Sequence, residues 1–199
     1  NRRRMKSTFE EALEHRRSYY SIGSSSPVSD EELMRVVRQA VKHVPSAFNS
    51  QSTRIVLLLG DEHQKLWEIV KDTLKARIPA EAFAKTEAKI DGHGTVLYFE
   101  DMSVVRGLQD AFPSYKDNFP TWAQHTSAMH QFAIWAMLEE RGLGASLQHY
   151  NPLIDEDVRR TWELPEDWML IAEMPFGVPT GEPGDKDFGD VDKRMKVFR

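Results

Sequence analysis

The sequence predicts a layered domain in which helices pack on a central sheet, of α/β or α+β class. Three observations lead there. Apolar runs of strand length recur at 54–60, 95–99 and 168–176, each bounded by turn or polar residues. Segments with a helical apolar period lie between and around them, so strands and helices interleave along the chain. The length of 199 residues suits one sizeable core and leaves little room for two. A single domain over residues 1–199 is therefore expected, with 177–199 as a C-terminal arm.

Thr8 followed by Glu11 reads as a capping box, and Phe9, Ala12 and Leu13 then give a short helix its apolar stripe. That helix runs into Arg16, Arg17 and Ser18, where the two arginines either complement the helix dipole or serve a ligand. Gly23 to Pro27 is a loop of small residues. Ser29 with Glu32 repeats the capping pattern, and Leu33, Val36, Val37, Ala40, Val41 and Val44 place one apolar face on a helix over 30–44 that Pro45 ends. The run Arg54 to Gly60 suits a strand buried on both faces. Helical patterns follow at 62–76, 80–90 and 102–111. In the segment 121–141 the residues Trp122, Met129, Phe132, Ala133, Trp135, Ala136, Met137 and Leu138 cover more of a helix than one stripe needs. Such a helix is central or shared with a second subunit, and Gly142 caps it. A short helix near 155–162 precedes the third strand. The Gly-, Pro- and Asp-rich segment 177–192 leads to Met195, Val197 and Phe198, which suits an arm laid over another surface.

Composition narrows the chemistry. With 31 acidic against 26 basic residues and a net charge of -5, nucleic acid and anionic lipid are not expected partners. Cysteine is absent, which removes disulfides, thiolate metal sites and thiol nucleophiles, so redox chemistry has to come from a cofactor. No apolar run approaches the ~20 residues of a membrane span. Arg2, Arg3 and Arg4 stand without the apolar stretch of a secretory signal, and the expected compartment is the cytoplasm.

Two segments could carry binding. The loop Pro45 to Ser52 joins a helix to a strand and presents the carboxamides of Asn49 and Gln51. Each both donates and accepts, so together they match a heterocycle edge of alternating N–H and C=O groups, such as a flavin pyrimidine; equally, they could satisfy their own backbone. The stretch Gly142 to Pro152 carries small residues that let a planar ligand approach main-chain N–H groups, or it is only a helix cap and a short strand. Its Gly-x-Gly follows a helix and lacks the third glycine of a dinucleotide fingerprint.

Taken in order, Arg16-Arg17-Ser18 at a helix end, Ser46-x-x-Asn49-x-Gln51 before a strand, the long apolar helix into Gly142-Leu143-Gly144-Ala145, and a basic C-terminal segment resemble the nitroreductase family. The stretches Gly144 to Pro152 and Met174-Pro175-Phe176-Gly177 are similar to its small branch, linked to fatty-acid-dependent regulation and to reduction of nitroaromatics and quinones. The resemblance spans Phe9 to Phe198. It implies an α+β fold, a central sheet flanked by helices, and a long central helix at a homodimer interface. It further implies bound FMN, reduction by NADPH or NADH, and a nitroaromatic or quinone as acceptor in ping-pong order. A flavin-binding redox sensor with slow reductase activity is the alternative role.

By position, the resemblance places Arg16, Arg17 and Ser18 on the FMN phosphate and ribityl chain, and Asn49 and Gln51 on the ring or ribityl hydroxyls from the other subunit. The main chain of Ser146, Leu147 and Gln148 would follow the ring edge that holds N5. Arg194 and Lys196 would form a second phosphate-binding pair. No catalytic acid, base or nucleophile is assigned, because the cofactor carries the chemistry. Two positions depart from the wider family: Tyr20 stands where many members have a lysine or arginine, and Ser52, Thr53 and Arg54 replace the aromatic residue that often follows the glutamine. Phe48, Phe112, Tyr115, Phe119 and Trp122 are candidate pocket walls, or core. His125 and His130 are five residues apart and do not share a helix face, so no metal is expected, and there is no Gly-x-Ser-x-Gly elbow.

Overall fold

A computed structural model describes residues 8–87 and 91–199. The chain folds as α1 (Thr8–His15), α2 (Asp30–His43), β1 (Thr53–Leu59), α3 (Asp61–Leu74), α4 (Ala80–Glu87), β2 (Gly94–Asp101), α5 (Met102–Ala111), α6 (Phe119–Glu140), β3 (Gly144–Ala145), α7 (Asp155–Thr161) and β4 (Trp168–Gly177). All strand pairs are antiparallel, in the order β1-β2-β4-β3. Of the two classes open to the sequence, the fold is therefore α+β. The predicted end of the fourth helical segment, 88–90, lies outside the described residues, as do Arg2, Arg3 and Arg4.

Local chemistry accounts for the helix ends. Ser29 caps α2, its hydroxyl accepting from the Glu32 N–H. Glu32 does not close the capping box; its carboxylate takes Arg35 and Arg141 instead. At the other end of α6, Gly142 adopts φ 77°. Its N–H donates to Glu139 and that of Leu143 to Leu138, both at 3.0 Å, the paired bonds of a Schellman stop. Thr8 lies inside the first turn of α1, not before it.

The sheet is covered on both faces. Val96 and Tyr98 of β2 pack with Leu33, Ala40, Ile134 and Leu138 of α2 and α6. Leu97 and Phe99 point the other way, onto Leu66, Trp67 and Val70 of α3 and Val158 of α7. This alternation is why β2 is buried at every residue. The expectation that β1 is equally buried fails: residues 54–57 are only partly buried, because β1 is the edge strand of the sheet. An apolar run reports that side chains want burial, not that a neighbour strand is present. Among the described residues no helix is long and apolar enough to cross a membrane.

Candidate functional site

Past α1 the chain is stitched to the sheet. Ser18 bridges Ala145 in parallel, and the Tyr19 N–H donates to the Ala145 carbonyl at 2.9 Å. Gly144 permits this approach, since a Cβ there would meet the Tyr19 ring at 2.8 Å. The stitch presents Arg16 and Ser18 beside α6. The Arg16 guanidinium lies 4.4 Å from the centre of the Trp135 ring and forms no ion pair among the described residues, so its donors remain available to an anion. Arg17 turns away and donates to the Gly184 carbonyl.

Two cavities meet at Arg16 and Ser18. One, of about 320 Å³, is walled by Ala128, Gln131, Phe132 and Trp135 of α6 and by Leu147. The other, of about 280 Å³, adds Arg17, Tyr20, Gly184, Asp185 and Lys186. Three cations against one carboxylate make the second an anion-favouring cleft, while the first is largely apolar and suits a flat ring. The segment after β3 forms the floor. Ser146 and Gln148 donate their N–H groups to the Pro175 and Glu173 carbonyls at 3.3 and 2.7 Å. The N–H of Leu147, between them, has no partner among the described residues, and Leu147 lines the first cavity. Of the three residues proposed for this edge, Leu147 thus faces the cavity. Ser146 is buried, its hydroxyl accepting from the Gln148 carboxamide at 3.0 Å.

The loop before β1 has an unusual backbone. Phe48, Asn49 and Gln51 all take positive φ, at 57°, 50° and 51°, a conformation rare for residues other than glycine. The Phe48 ring is braced by Phe112, Tyr115, Phe119 and Trp122 at centroid distances of 5.1 to 5.9 Å. The five aromatics named from sequence therefore form one cluster, with Phe48 itself half exposed. Phe48 and Trp122 wall a cavity of about 370 Å³ with His125, Thr126 and Met129. Gln51 lines another of about 390 Å³ with Thr53, Arg54 and His130. Burial lowers the His130 pKa, and its Nδ1 donates to the Thr126 carbonyl at 2.9 Å.

The chain does not bring all the candidate residues together. Among the described cavities, none contains both Arg16 or Ser18 and Asn49 or Gln51. Arg194 and Lys196 lie on the exposed tail and line none of them. Two contributors were not anticipated. Lys186 sits in a Gly/Asp-rich stretch that reads as solvated loop, and Trp135 reads as core or interface until Arg16 is seen stacked on it. Among the described residues, no group of three His, Asp or Glu side chains could hold a metal ion.

Known proteins share this architecture and sequence. The family model "Nitroreductase family" matches residues 13–178. The nitroreductase FRM2 of Saccharomyces cerevisiae is 35% identical over 180 residues, 89% of this chain and 91% of that protein. The nitroreductase CinD of Lactococcus lactis, solved with nicotinic acid, superposes with a TM-score of 0.90 at 43% identity, covering 96% of this chain and 100% of that one; it has also been solved with chloramphenicol and with 4-nitrophenol. A Desulfovibrio desulfuricans protein solved with FMN shares the fold at a TM-score of 0.70 and 16% identity. On the family match and these identities, the chain belongs to the nitroreductase family, oxidoreductases that act on nitro compounds.

Proposed function

We propose that this protein is an FMN-dependent oxidoreductase that passes electrons from NADPH or NADH to nitroaromatics or quinones, as a cytoplasmic homodimer in which each chain is a single domain with residues 177–199 as an arm. The observation that carries the reading is the pair of cavities sharing Arg16 and Ser18. One is apolar and edged by the unused Leu147 N–H; the other gathers Arg16, Arg17 and Lys186. A ligand with a planar heterocycle at one end and a phosphate at the other fits both at once, and FMN has that form. When bound, FMN would supply the redox chemistry, as hydride acceptor from the reduced nicotinamide and electron donor to the nitroaromatic or quinone.

The chain's own residues bind, orient and exclude water. Arg16, with its guanidinium face on Trp135, offers its N–H groups to the phosphate, with the Ser18 hydroxyl beside it. Lys186 adds a third cation, and Arg194 and Lys196 of the tail would join them. Leu147 would hold a main-chain donor at the ring edge, where a fixed dipole would stabilise negative charge without reorganising. Asn49 and Gln51 would complete the ring contacts from the partner subunit, which their separation from Arg16 in one chain requires. The dimer also gives a use to apolar groups left outside: Phe9, Leu13, Met129 and Phe132 are all exposed, and Phe9 meets Phe132 edge-on at 6.4 Å. The aromatic cluster around Phe48 would wall the acceptor, and CinD's complexes with chloramphenicol and 4-nitrophenol fit such a wall.

The test is a visible absorbance spectrum of the purified protein before and after anaerobic addition of NADPH or NADH. Bound flavin that bleaches with a nicotinamide and recovers with a nitroaromatic or quinone is the expected result. Bound flavin inert to both nicotinamides would favour a redox sensor, and a colourless protein that does not take up FMN would overturn the cofactor assignment.

A further inference from the structure

We infer that Arg54 is a positioning residue for ligand binding, acting through the main chain of Gln51. This rests on the reading of Gln51 as a flavin contact. Gln51 is held at φ 51°, where a residue with a side chain does not settle unaided. Phe48, at the other end of the strained run, is held by packing against four rings. Gln51 is exposed and has no such packing; polar groups grip its two peptide bonds instead.

The grip has two sides. The Gln51 N–H donates to the Ser46 hydroxyl at 3.0 Å. Its carbonyl accepts from Arg54 Nη1 at 2.6 Å, and the same nitrogen reaches the Thr53 carbonyl at 3.2 Å. Arg54 is itself anchored, because Nη2 donates to Asp101 Oδ2 at 3.1 Å. Asp101 is fixed in turn: its Oδ1 accepts from the Ser103 N–H at 3.0 Å and the Ser103 hydroxyl at 2.5 Å, capping α5. Its own N–H donates to the Ser52 carbonyl at 2.9 Å. A continuous path therefore runs from the α5 N-terminus through Asp101 and Arg54 to the carbonyl that sets the Gln51 peptide plane.

The residue type follows from the geometry. Carbonyl and carboxylate lie on different nitrogens of one guanidinium, and the rigid planar fork serves both at once, which a lysine ammonium on a flexible stem cannot do in the same arrangement. Only 29% of the Arg54 side chain and 12% of that of Asp101 are exposed, so solvent screens this pair less than an open surface pair. With the peptide planes fixed, the direction of the Gln51 Cα–Cβ bond is set, and the present contact of its carboxamide, Nε2 to the Asn49 carbonyl at 3.3 Å, is long enough to yield to a ligand. Arg54 also lines the cavity that Gln51 lines.

The test is FMN titration of the full-length apoprotein, followed by flavin fluorescence, for the wild type, Gln51→Ala, Arg54→Met, the double variant and Arg54→Lys. Gln51→Ala and Arg54→Met are each expected to weaken FMN about tenfold, and the double variant also about tenfold instead of a hundredfold, because both remove one interaction. Arg54→Lys, which keeps the charge and guards against a misfolded Met variant, is expected to fall between wild type and Arg54→Met. Independent losses that multiply, or an Arg54→Met that binds as wild type while Gln51→Ala does not, would overturn the inference and leave the flavin reading standing. A wild-type protein that binds no FMN would overturn both.

Discussion

Replacing Arg16 with methionine separates phosphate binding from packing. Arg16 has two roles in the structure: its face lies 4.4 Å over the Trp135 ring, and its donors open onto the cavities it shares with Ser18. The stacking is worth about 0.5–2 kcal/mol and belongs to the protein with or without ligand. A charge-assisted hydrogen bond to phosphate is worth about 1.5–3 kcal/mol and exists only with the phosphate present. At about 1.4 kcal/mol per tenfold, Arg16→Met should weaken FMN by about 10- to 150-fold. Riboflavin lacks the phosphate, so its affinity should change little. Fluorescence titration with both ligands measures the difference directly. Repeating the FMN titration at higher salt should shrink the gap between wild type and variant, because a partly exposed charge is screened. Equal losses for FMN and riboflavin would refute the reasoning and reduce Arg16 to a packing residue of α6.

Glu100 is fully buried on β2, with Oε1 accepting from the Ser52 hydroxyl at 2.8 Å; burial raises its pKa. Above the ordinary value of 4.5 the unfolded chain releases a proton that the folded chain retains, so stability is lost as pH rises; Glu100→Gln should raise Tm at pH 7 by a few degrees and leave it unchanged at pH 4. Glu32 behaves oppositely: hydrogen bonds from Arg35 and Arg141 hold its pKa at about 2, so its contribution is present above 4.5 and lost as pH falls towards 2. Thermal melts across that window should show wild type converging on Glu32→Gln, and a constant offset between them would contradict the assignment. Gly177 ends β4 where a Cβ would lie 2.1 Å from the Gly23 carbonyl oxygen and 3.2 Å from the His93 nitrogen. Both neighbours are backbone, so Gly177→Ala should cost at least about 1–3 kcal/mol in urea unfolding, and a loss within the measurement error would show that the segment yields.

Periodicity and caps made most elements legible, because they are local signals: Ser29 before Leu33, Val36 and Ala40 specifies α2 without reference to anything distant. The burial of β1 was not legible, since the same apolar run would serve a central strand, and only the pairing order distinguishes the two. The left-handed backbone of Phe48, Asn49 and Gln51 was equally hidden. None is glycine, and their conformation is imposed by the rings around Phe48 and by Ser46 and Arg54 at Gln51. Arg16 and Ser18 were named through the order of motifs, whereas Lys186, which lines a cavity with them, was not, because its place there depends on Arg17 holding Gly184 against the first motif. Contacts separated by 167 residues leave no periodic trace.

The long helix joins the two halves of the proposed site. Ala128, Gln131, Phe132 and Trp135 follow the i, i+3, i+4, i+7 spacing of one stripe and wall the cavity at Arg16. Trp122, His125, Thr126 and Met129 repeat the spacing six residues earlier and wall the cavity at Phe48. Six residues at ~100° and ~1.5 Å each set the stripes ~120° apart around the axis and ~9 Å apart along it. Within one chain they therefore face different directions, and Gln51 and Leu147 line separate cavities. In the proposed dimer, a second chain packed across α6 would reach both stripes and set its own loop against the first chain's groove. The apolar residues of α6 spread beyond one stripe, leaving Met129 and Phe132 exposed, and such a surplus fits that arrangement.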